Sequence, residues 1–527
     1  MMSEESSTTV RKVTRAAGTV MLAMIISQLA SLAASMIIAR TFGTQHELDA
    51  FYAANRVSET LFVLVAAGAL SSAFIPTFTT FLARKDRDSA WRLASAITNM
   101  LFLTLILLVT LAAILAPQIV RYVLAPGLAA DPALNELAID LLRLQLGSVI
   151  LFGLGGLMVA ILNSHQVFFI PALAPAMYRI GLIVGALALA PRIGIYGLAW
   201  GVLIGALFYF VLQIPSLLKL KGTYSLSLGL KDPAVNEVLH LMGPRLFGVA
   251  IVQLNFWVNT WLASTMVEGS LSAVSFGYAL MLMAQAAIAQ SVAIAAMPTL
   301  STQYALGKID ELRSTLASGL RGVILLSMPA SIGLILLRQP IVSMLFQGGA
   351  FTDQSTQMVA WTLLWYAAGL VGHSILEVLA RSFYALHDTR TPVLVGAAAM
   401  GLNVVLSFLF SSLFERLGWM PHGGLALANS SATALEAGIL FLLMRRRIHG
   451  MNGPDIIRGT GQAALGSLVM CIFLILSGIF TCAWHPLPAV LIGVSGGGLV
   501  YGSIIWLLRV PELAGIKEIL HRRTHRK

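Results

Sequence analysis

Charged side chains inside apolar runs are the first residues to weigh. On insertion scales an arginine at the centre of a membrane helix costs about 2.5–3.5 kcal/mol, so such a residue is a functional candidate by default. Arg179 sits within the apolar stretch 168–190, and Arg245 follows Pro244 at the start of the stretch 242–266. Arg40, Asp49, Arg56 and Glu59 gather between the first two apolar stretches, while Glu377 and Glu436 lie inside two later ones. The competing reading for each is a side chain that snorkels to the interface. Among uncharged residues, Ser27, Ser31 and Ser35 recur every four positions, a spacing that close helix packing also explains. Gln253, Asn255 and Asn259 are harder to assign to packing and point to a helix facing a cavity.

Chemistry of other kinds finds little support. No G-x-x-x-x-G-K-[ST], H-E-x-x-H or C-x-x-C occurs. Gly493-Val-Ser495-Gly-Gly497 matches the G-x-S-x-G pattern but lies inside an apolar helix with no strand before it. His373 and Glu377 share a helix face, too few ligands for a metal; a mutual hydrogen bond, or one toward the bundle interior, is expected. We therefore expect no catalytic residue, no metal and no cofactor.

The elements that position these residues are set by composition. Of the 527 residues, 57% are hydrophobic and 11% charged, against about 25% charged in a soluble domain. This excludes a soluble enzyme, a disordered chain and a disulfide scaffold, and Cys471 and Cys482 are the only cysteines. An all-α polytopic membrane protein remains. Taking about 20 apolar residues per crossing, we count fourteen spans: 17–39, 59–82, 93–116, 137–162, 168–190, 193–215, 242–266, 272–298, 318–337, 356–380, 391–413, 422–444, 460–482 and 487–508. With the N-terminus placed in the cytoplasm, 26 of the 34 lysines and arginines fall on the inner side and 7 on the outer. Both termini are thus expected inside. The net charge of +11 is read through this membrane bias, not as affinity for nucleic acid. Residues 230–242, with Asp232 as cap and Pro233 in the first turn, read as a helix on the inner membrane surface.

The chain also repeats itself. Pro76-Thr77-x-x-Thr80 is echoed by Pro298-Thr299-x-x-Thr302, and the same offset of 222 links Gly127 to Gly349 and Asp131 to Asp353. Spans one to six then match spans seven to twelve. This gives a lobe at 1–222, a lobe at 223–449, and two further spans with a basic tail at 450–527. Six is even, so the copies share one orientation. Parallel repeats of this kind characterise transporters that rock one half against the other.

An ordered set of motifs resembles the MurJ/MviN family of lipid II flippases, within the multidrug/oligosaccharidyl-lipid/polysaccharide exporter superfamily. It comprises Ala39-Arg40-Thr-Phe42-Gly43 with Asp49-Ala50-Phe51, then Gly68-Ala-Leu-Ser71-Ser-Ala73-Phe74-Ile-Pro76, and Ala160-Ile-Leu-Asn163 before Ile170-Pro171. Met242-Gly243-Pro244, Asn259-Thr260, Phe346-Gln347-x-Gly349-x-Phe351-Thr352 and Phe383-Tyr384-x-x-x-Asp388-x-x-Thr391-Pro392 complete it. The resemblance implies alternating access that carries a polyprenyl-pyrophosphate-linked peptidoglycan precursor from the inner to the outer leaflet, with the bilayer, the lipid-linked glycan and a coupling ion as partners. Where the family carries arginines in the first span, this chain reads Ser27-Gln28-Leu-Ala-Ser31, and the second span reads Phe62-Val63-Leu-Val before Gly68. Arg56 and Arg245 are then expected to attract the head-group phosphates, with Arg179 as a further cation. Asp49 is expected in a salt bridge that changes between states, and Asn255, Asn259, Ser27 and Gln28 as polar contacts. The alternatives are an exporter of another lipid-linked glycan or of small organic cations, and, in a different class, a membrane-embedded transferase.

Overall fold

A computed structural model of the chain describes residues 2–64, 71–481 and 484–510, with side chains described for all of these except 2–20, 71–72, 244, 245, 247 and 481. Among the described residues the chain is helical, apart from one isolated bridge between Gly348 and Phe351. We label the main helices α1 (Met2–Phe42), α2 (His46–Phe62), α3 (Ser71–Ala83), α4 (Arg87–Ile114), α5 (Pro132–Ser164), α6 (Phe169–Val184), α7 (Ile195–Val211), α8 (Pro233–Ser264) and α9 (Ser270–Gln285). There follow α10 (Ser291–Ala305), α11 (Ile309–Leu336), α12 (Arg338–Phe346), α13 (Asp353–Ala368), α14 (Leu370–Ala385), α15 (Arg390–Arg416), α16 (His422–Arg447), α17 (Gly453–Thr481) and α18 (Pro486–Leu507).

Among the described residues, eleven helical stretches are long and apolar enough to cross a membrane, and thirteen when each of two bent pairs counts as one span. The fourteenth expected span, 59–82, runs through 65–70, outside the described residues; so do the motif positions Gly68–Leu70, Cys482 and the tail beyond 510. The expected surface helix at 230–242 forms the first part of α8. Asp232 accepts the Ala234 N–H at 2.9 Å and Pro233 opens the helix. It continues past Gly243 into the next piece at an angle of 42°. Its Val235 and Val238 are fully buried, so this segment packs on protein along one face.

The chain divides into two compact units, Met1–Ser272 with Gly348–Phe351, and Ala273–Gln347 with Thr352–Lys527. In the first, α5 is central and packs against α2, α4 and α7. Helices α6 and α7 approach backbone to backbone, because Gly181 and Gly185 face Gly197, Gly201 and Gly205 at four-residue spacing; a Cβ on Gly181 would lie 2.2 Å from the Gly205 Cα. The connection 220–232 is fastened to α4: Asn99 donates to the carbonyls of Ser225 (3.0 Å) and Ser227 (2.8 Å), and Arg87 to that of Leu220 (2.7 Å).

In the second unit, Leu312, Leu316, Leu320 and Val323 form the inner stripe of α11, packed with Leu379 and Phe383 of α14 and Leu440 and Met444 of α16. The last two helices attach through Met470 and Leu474 against Leu337. Tyr501 secures them further, donating its hydroxyl to the Leu325 carbonyl at 2.6 Å. Gly493 and Gly497, flanking Ser495, face Leu337 and Leu474 in this packing.

Two local features repeat at the offset of 222. In α3 and α10 a proline stands inside the helix, and the threonine four residues on bonds its carbonyl: Thr80 to Pro76 and Thr302 to Pro298, each at 3.0 Å. Gly127 and Gly349 each press on a carbonyl at the end of a helix. A Cβ would lie 1.8 Å from the Ser264 oxygen in the first case and 2.2 Å from the Arg40 oxygen in the second.

Candidate functional site

The eight residues expected to meet the cargo or change partner between states, Ser27, Gln28, Asp49, Arg56, Arg179, Arg245, Asn255 and Asn259, all belong to the first compact unit. Asp49 is set by the first turn of α2, after Gly43 in the left-handed region (φ 64°). Its carboxylate is buried and accepts three hydrogen bonds, from the Gly269 N–H (2.9 Å), the Ser272 N–H (2.7 Å) and the Ser272 hydroxyl (2.5 Å). It thus satisfies amides in the first turn of α9 that the helix itself leaves open. Asp49 lies outside the apolar spans, and burial pushes it up to about 6; the bonds from Ser272 and Gly269 and the nearby His46 act in the opposite sense. Its partners here are hydrogen-bond donors, while His46 Nε2 stands 3.4 Å from the Glu268 carboxylate.

Positions 49, 56 and 60 fall on one face of α2 at 3.6 residues per turn. Arg56 is half-buried, with Nη1 2.9 Å from Glu59 Oε2 and the guanidinium 5.1 Å from the ring centroid of Phe256 on α8. Its Nε is buried and makes no hydrogen bond. One turn on, Thr60 Oγ1 accepts the Trp257 indole N–H at 2.7 Å and lies 3.2 Å from Gln253 Oε1. Arg56, Thr60, Gln253, Phe256 and Trp257 therefore form one polar-aromatic cluster where α2 meets α8.

Arg179, half-buried on α6, stands 5.3 Å from the Tyr178 ring centroid and within electrostatic reach of Tyr52 on α2. Tyr178 in turn feels the charge of Glu59 and packs edge-on against Phe152 at 5.2 Å. Two of the expected cations are thus gathered around the inner length of α2.

The remaining expected residues are distributed differently. Asn255 and Asn259 lie about 200° around α8 from Gln253 and Trp257, and they pair with each other at 3.4 Å. The polar residues of α8 therefore occupy two faces, not one. Ser27 donates to the Ala172 carbonyl at 3.3 Å and so joins α1 to α6, while Gln28 is exposed. The side chain of Arg245 lies outside the described residues. In the second unit, His373 and Glu377 take separate partners: His373 Nε2 meets Asn429 Oδ1 at 3.1 Å, and Glu377 pairs with Arg381 at 2.6 Å. Among the described residues no group of three His, Cys, Asp or Glu side chains could hold a metal ion.

Thr60 and Trp257 were not legible as site residues. The available signal was the spacing of Gln253 and Trp257, four apart, which separates them from the Asn255–Asn259 face.

Comparison with known proteins gives a consistent result. Residues 38–495 match the sequence family described as lipid II flippase MurJ. A "Lipid II flippase MurJ" of Burkholderia cenocepacia is 30% identical over 452 residues, covering 85% of this chain and 86% of that one. A "Probable lipid II flippase MurJ" of Vibrio cholerae is 31% identical over 426 residues, covering 79% and 80%. Among solved structures, a lipid II flippase MurJ in an inward closed conformation superposes with a TM-score of 0.80 at 25% identity, covering 94% of this chain and 99% of that one. An inward-facing multidrug resistance MATE family transporter shares the fold at a TM-score of 0.68 and 14% identity, covering 80% and 94%.

Proposed function

The chain belongs to the lipid II flippase MurJ family and is a multi-pass membrane transporter of that type, not an enzyme; from that premise we propose that it moves lipid II across the bilayer by alternating access, with Arg56 as the principal cation for the head group. The buried Arg56 Nε–H without a hydrogen-bond partner carries this assignment. Such a donor is costly to leave unmade, and a pyrophosphate oxygen is the acceptor that a lipid-linked cargo brings. Charge alone makes a cation necessary, since an isolated ionised group loses tens of kcal/mol of solvation in a medium of low dielectric by a Born estimate.

In this reading Glu59 occupies Arg56 in the cargo-free state and yields it to phosphate. Arg179 and Arg245 add positive charge along the route, and Gln253, Thr60 and Trp257 form the polar wall beside Arg56. Asn255 and Asn259, on the other face of α8, offer hydrogen bonds to sugar or peptide; Ser27 and Gln28 contribute polarity from α1. Asp49 holds the turn before α9 closed and is released when the outer end opens. The bias of lysine and arginine supports cytoplasmic placement of both termini. The offset of 222 supports two like-oriented six-span repeats at 1–222 and 223–449, followed by the pair at 450–527. An ion gradient or the membrane potential acting on moving charge would drive the cycle.

The test uses the full-length protein in proteoliposomes with fluorescent lipid II and an outer-leaflet quencher. R56A should slow flipping at least about 10-fold, the loss of one charge-assisted hydrogen bond of about 1.5–3 kcal/mol. R56A combined with R245A should abolish it. Undiminished flipping by the double variant would overturn the site assignment.

A further inference from the structure

We propose that the end of α16 is a binding site for the head group of an anionic phospholipid, whose acyl chains lie along Leu435, Ile439 and Leu442. Helix α16 ends in Arg445-Arg446-Arg447, and the three arginines are differently engaged. Arg447 pairs with Asp388. Arg445 and Arg446 are exposed, and no carboxylate pairs with either among the described residues. With Leu442, His449 and Gly450 they line a concavity of about 600 Å³.

Two further observations distinguish this cluster from an ordinary charged helix end. First, the terminal carbonyls do not need these side chains. The chain turns back through His449 (φ 55°) and Gly450 (φ 130°), and the Gly450 and His449 N–H groups bond the carbonyls of Arg445 (2.9 Å) and Arg446 (3.3 Å). The backbone caps the helix, leaving both guanidinium groups free for an outside ligand.

Second, an apolar strip leads to them. Leu435, Ile439 and Leu442 are exposed by 51%, 38% and 55%, and with Arg446 they recur at helical spacing on one face. From Leu435 to Arg446 the helix rises about 16 Å at 1.5 Å per residue. One leaflet's hydrocarbon is about 15 Å deep, half of the ~30 Å core. The strip therefore has the depth of one leaflet, with the cations where head-group phosphate lies. A phosphodiester matches the guanidinium fork, and the two carboxylates placed near this helix end among the described residues are each held by another arginine, Asp388 by Arg447 and Asp310 by Arg313, which itself donates to the Ile448 carbonyl. A zwitterionic lipid brings its own ammonium and gains less.

The experiment uses the delipidated full-length protein in neutral detergent, read by native mass spectrometry with phosphatidylglycerol, phosphatidylcholine and inorganic phosphate as separate arms. Phosphatidylglycerol should be retained over phosphatidylcholine, and millimolar phosphate should not displace it. R445Q/R446Q should weaken phosphatidylglycerol retention about 25-fold, roughly five-fold per cation. L442N should weaken it too, and R445K/R446K, which keeps the charge but not the fork, should fall between the native protein and R445Q/R446Q with an unchanged unfolding temperature. R522Q/R523Q, the same charge change in the tail, should leave it intact. Retention that survives R445Q/R446Q, or that falls equally in R522Q/R523Q, would overturn the proposal. Displacement by phosphate would reassign the site to a free anion.

Discussion

At the scale of single residues, the Arg56–Glu59 pair yields a prediction of opposite signs. Glu59 is about half exposed and Arg56 mostly covered, so the pair is worth only about 0.2–1 kcal/mol. E59Q should release the guanidinium and lower the lipid II concentration for half-maximal flipping by about two- to five-fold, whereas R56A raises it; measuring both in the same proteoliposomes checks the pair. Asp49 gives a pH dependence. Burial raises it from 3.8 to about 6, so the fold favours its protonated form. That stability is fully present below about pH 4 and is lost as pH rises through about 6. Thermal unfolding in detergent should show a declining midpoint across this window, and D49N should flatten the slope, having no proton to lose. In the sequence, Asp49 and Arg56 stood out because charge next to apolar runs is rare. What could not be read was the partner of each, since Ser272 and Phe256 lie more than 190 positions away in sequence and no local pattern announces them.

At the scale of elements, the helices themselves were plain in the sequence, because each needs a run of apolar residues long enough for the bilayer. Breaks inside a span were less so. The 48° bend between Asp353–Ala368 and Leu370–Ala385 falls at Gly369, where a Cβ would lie 2.3 Å from the Ser430 hydroxyl oxygen; a neighbour on another helix decides that, not the hydropathy of the span. The two faces of α8 were hidden for a related reason. A list of polar residues carries no angle until the helix is drawn and its neighbours are known. Of the serine stripe on α1, Ser27 bonds a carbonyl of α6, a partner that four-residue spacing alone does not name. For Gly349 the cost of a side chain can be separated into two parts. At φ 59° an L-residue costs about 1–2 kcal/mol, and the Arg40 oxygen 2.2 Å from the would-be Cβ adds a clash. G418A, at φ 71° in the turn that ends α15 and with nothing within 4 Å, should show the first cost alone. G349A should lower stability by about 2 kcal/mol more, as thermal unfolding of the two variants would measure.

At the scale of the whole molecule, the duplication is the feature that sequence offers most cheaply. Its local signatures recur as matching proline-threonine bonds in α3 and α10 and as glycines pressed on helix-end carbonyls. The compact units do not divide at position 222, the boundary expected from the sequence offset, because α8 is counted with the first unit. Sequence similarity records descent, whereas packing records which surfaces are buried in the present state.

The connection fastened along α4 has a mechanical consequence. Leu220 to Ser227 is held by Arg87, Ser95 and Asn99 through the chain's own carbonyls and amides, so those eight positions cannot pay out. Leu228 to Lys231, the four positions before Asp232 caps α8, have no hydrogen bond to α4 among the described residues and give a leash of about 14 Å at full extension, once the turn at Gly229 opens. Any swing of that helix's starting end away from α4 is confined to such a radius unless the strap peels off first.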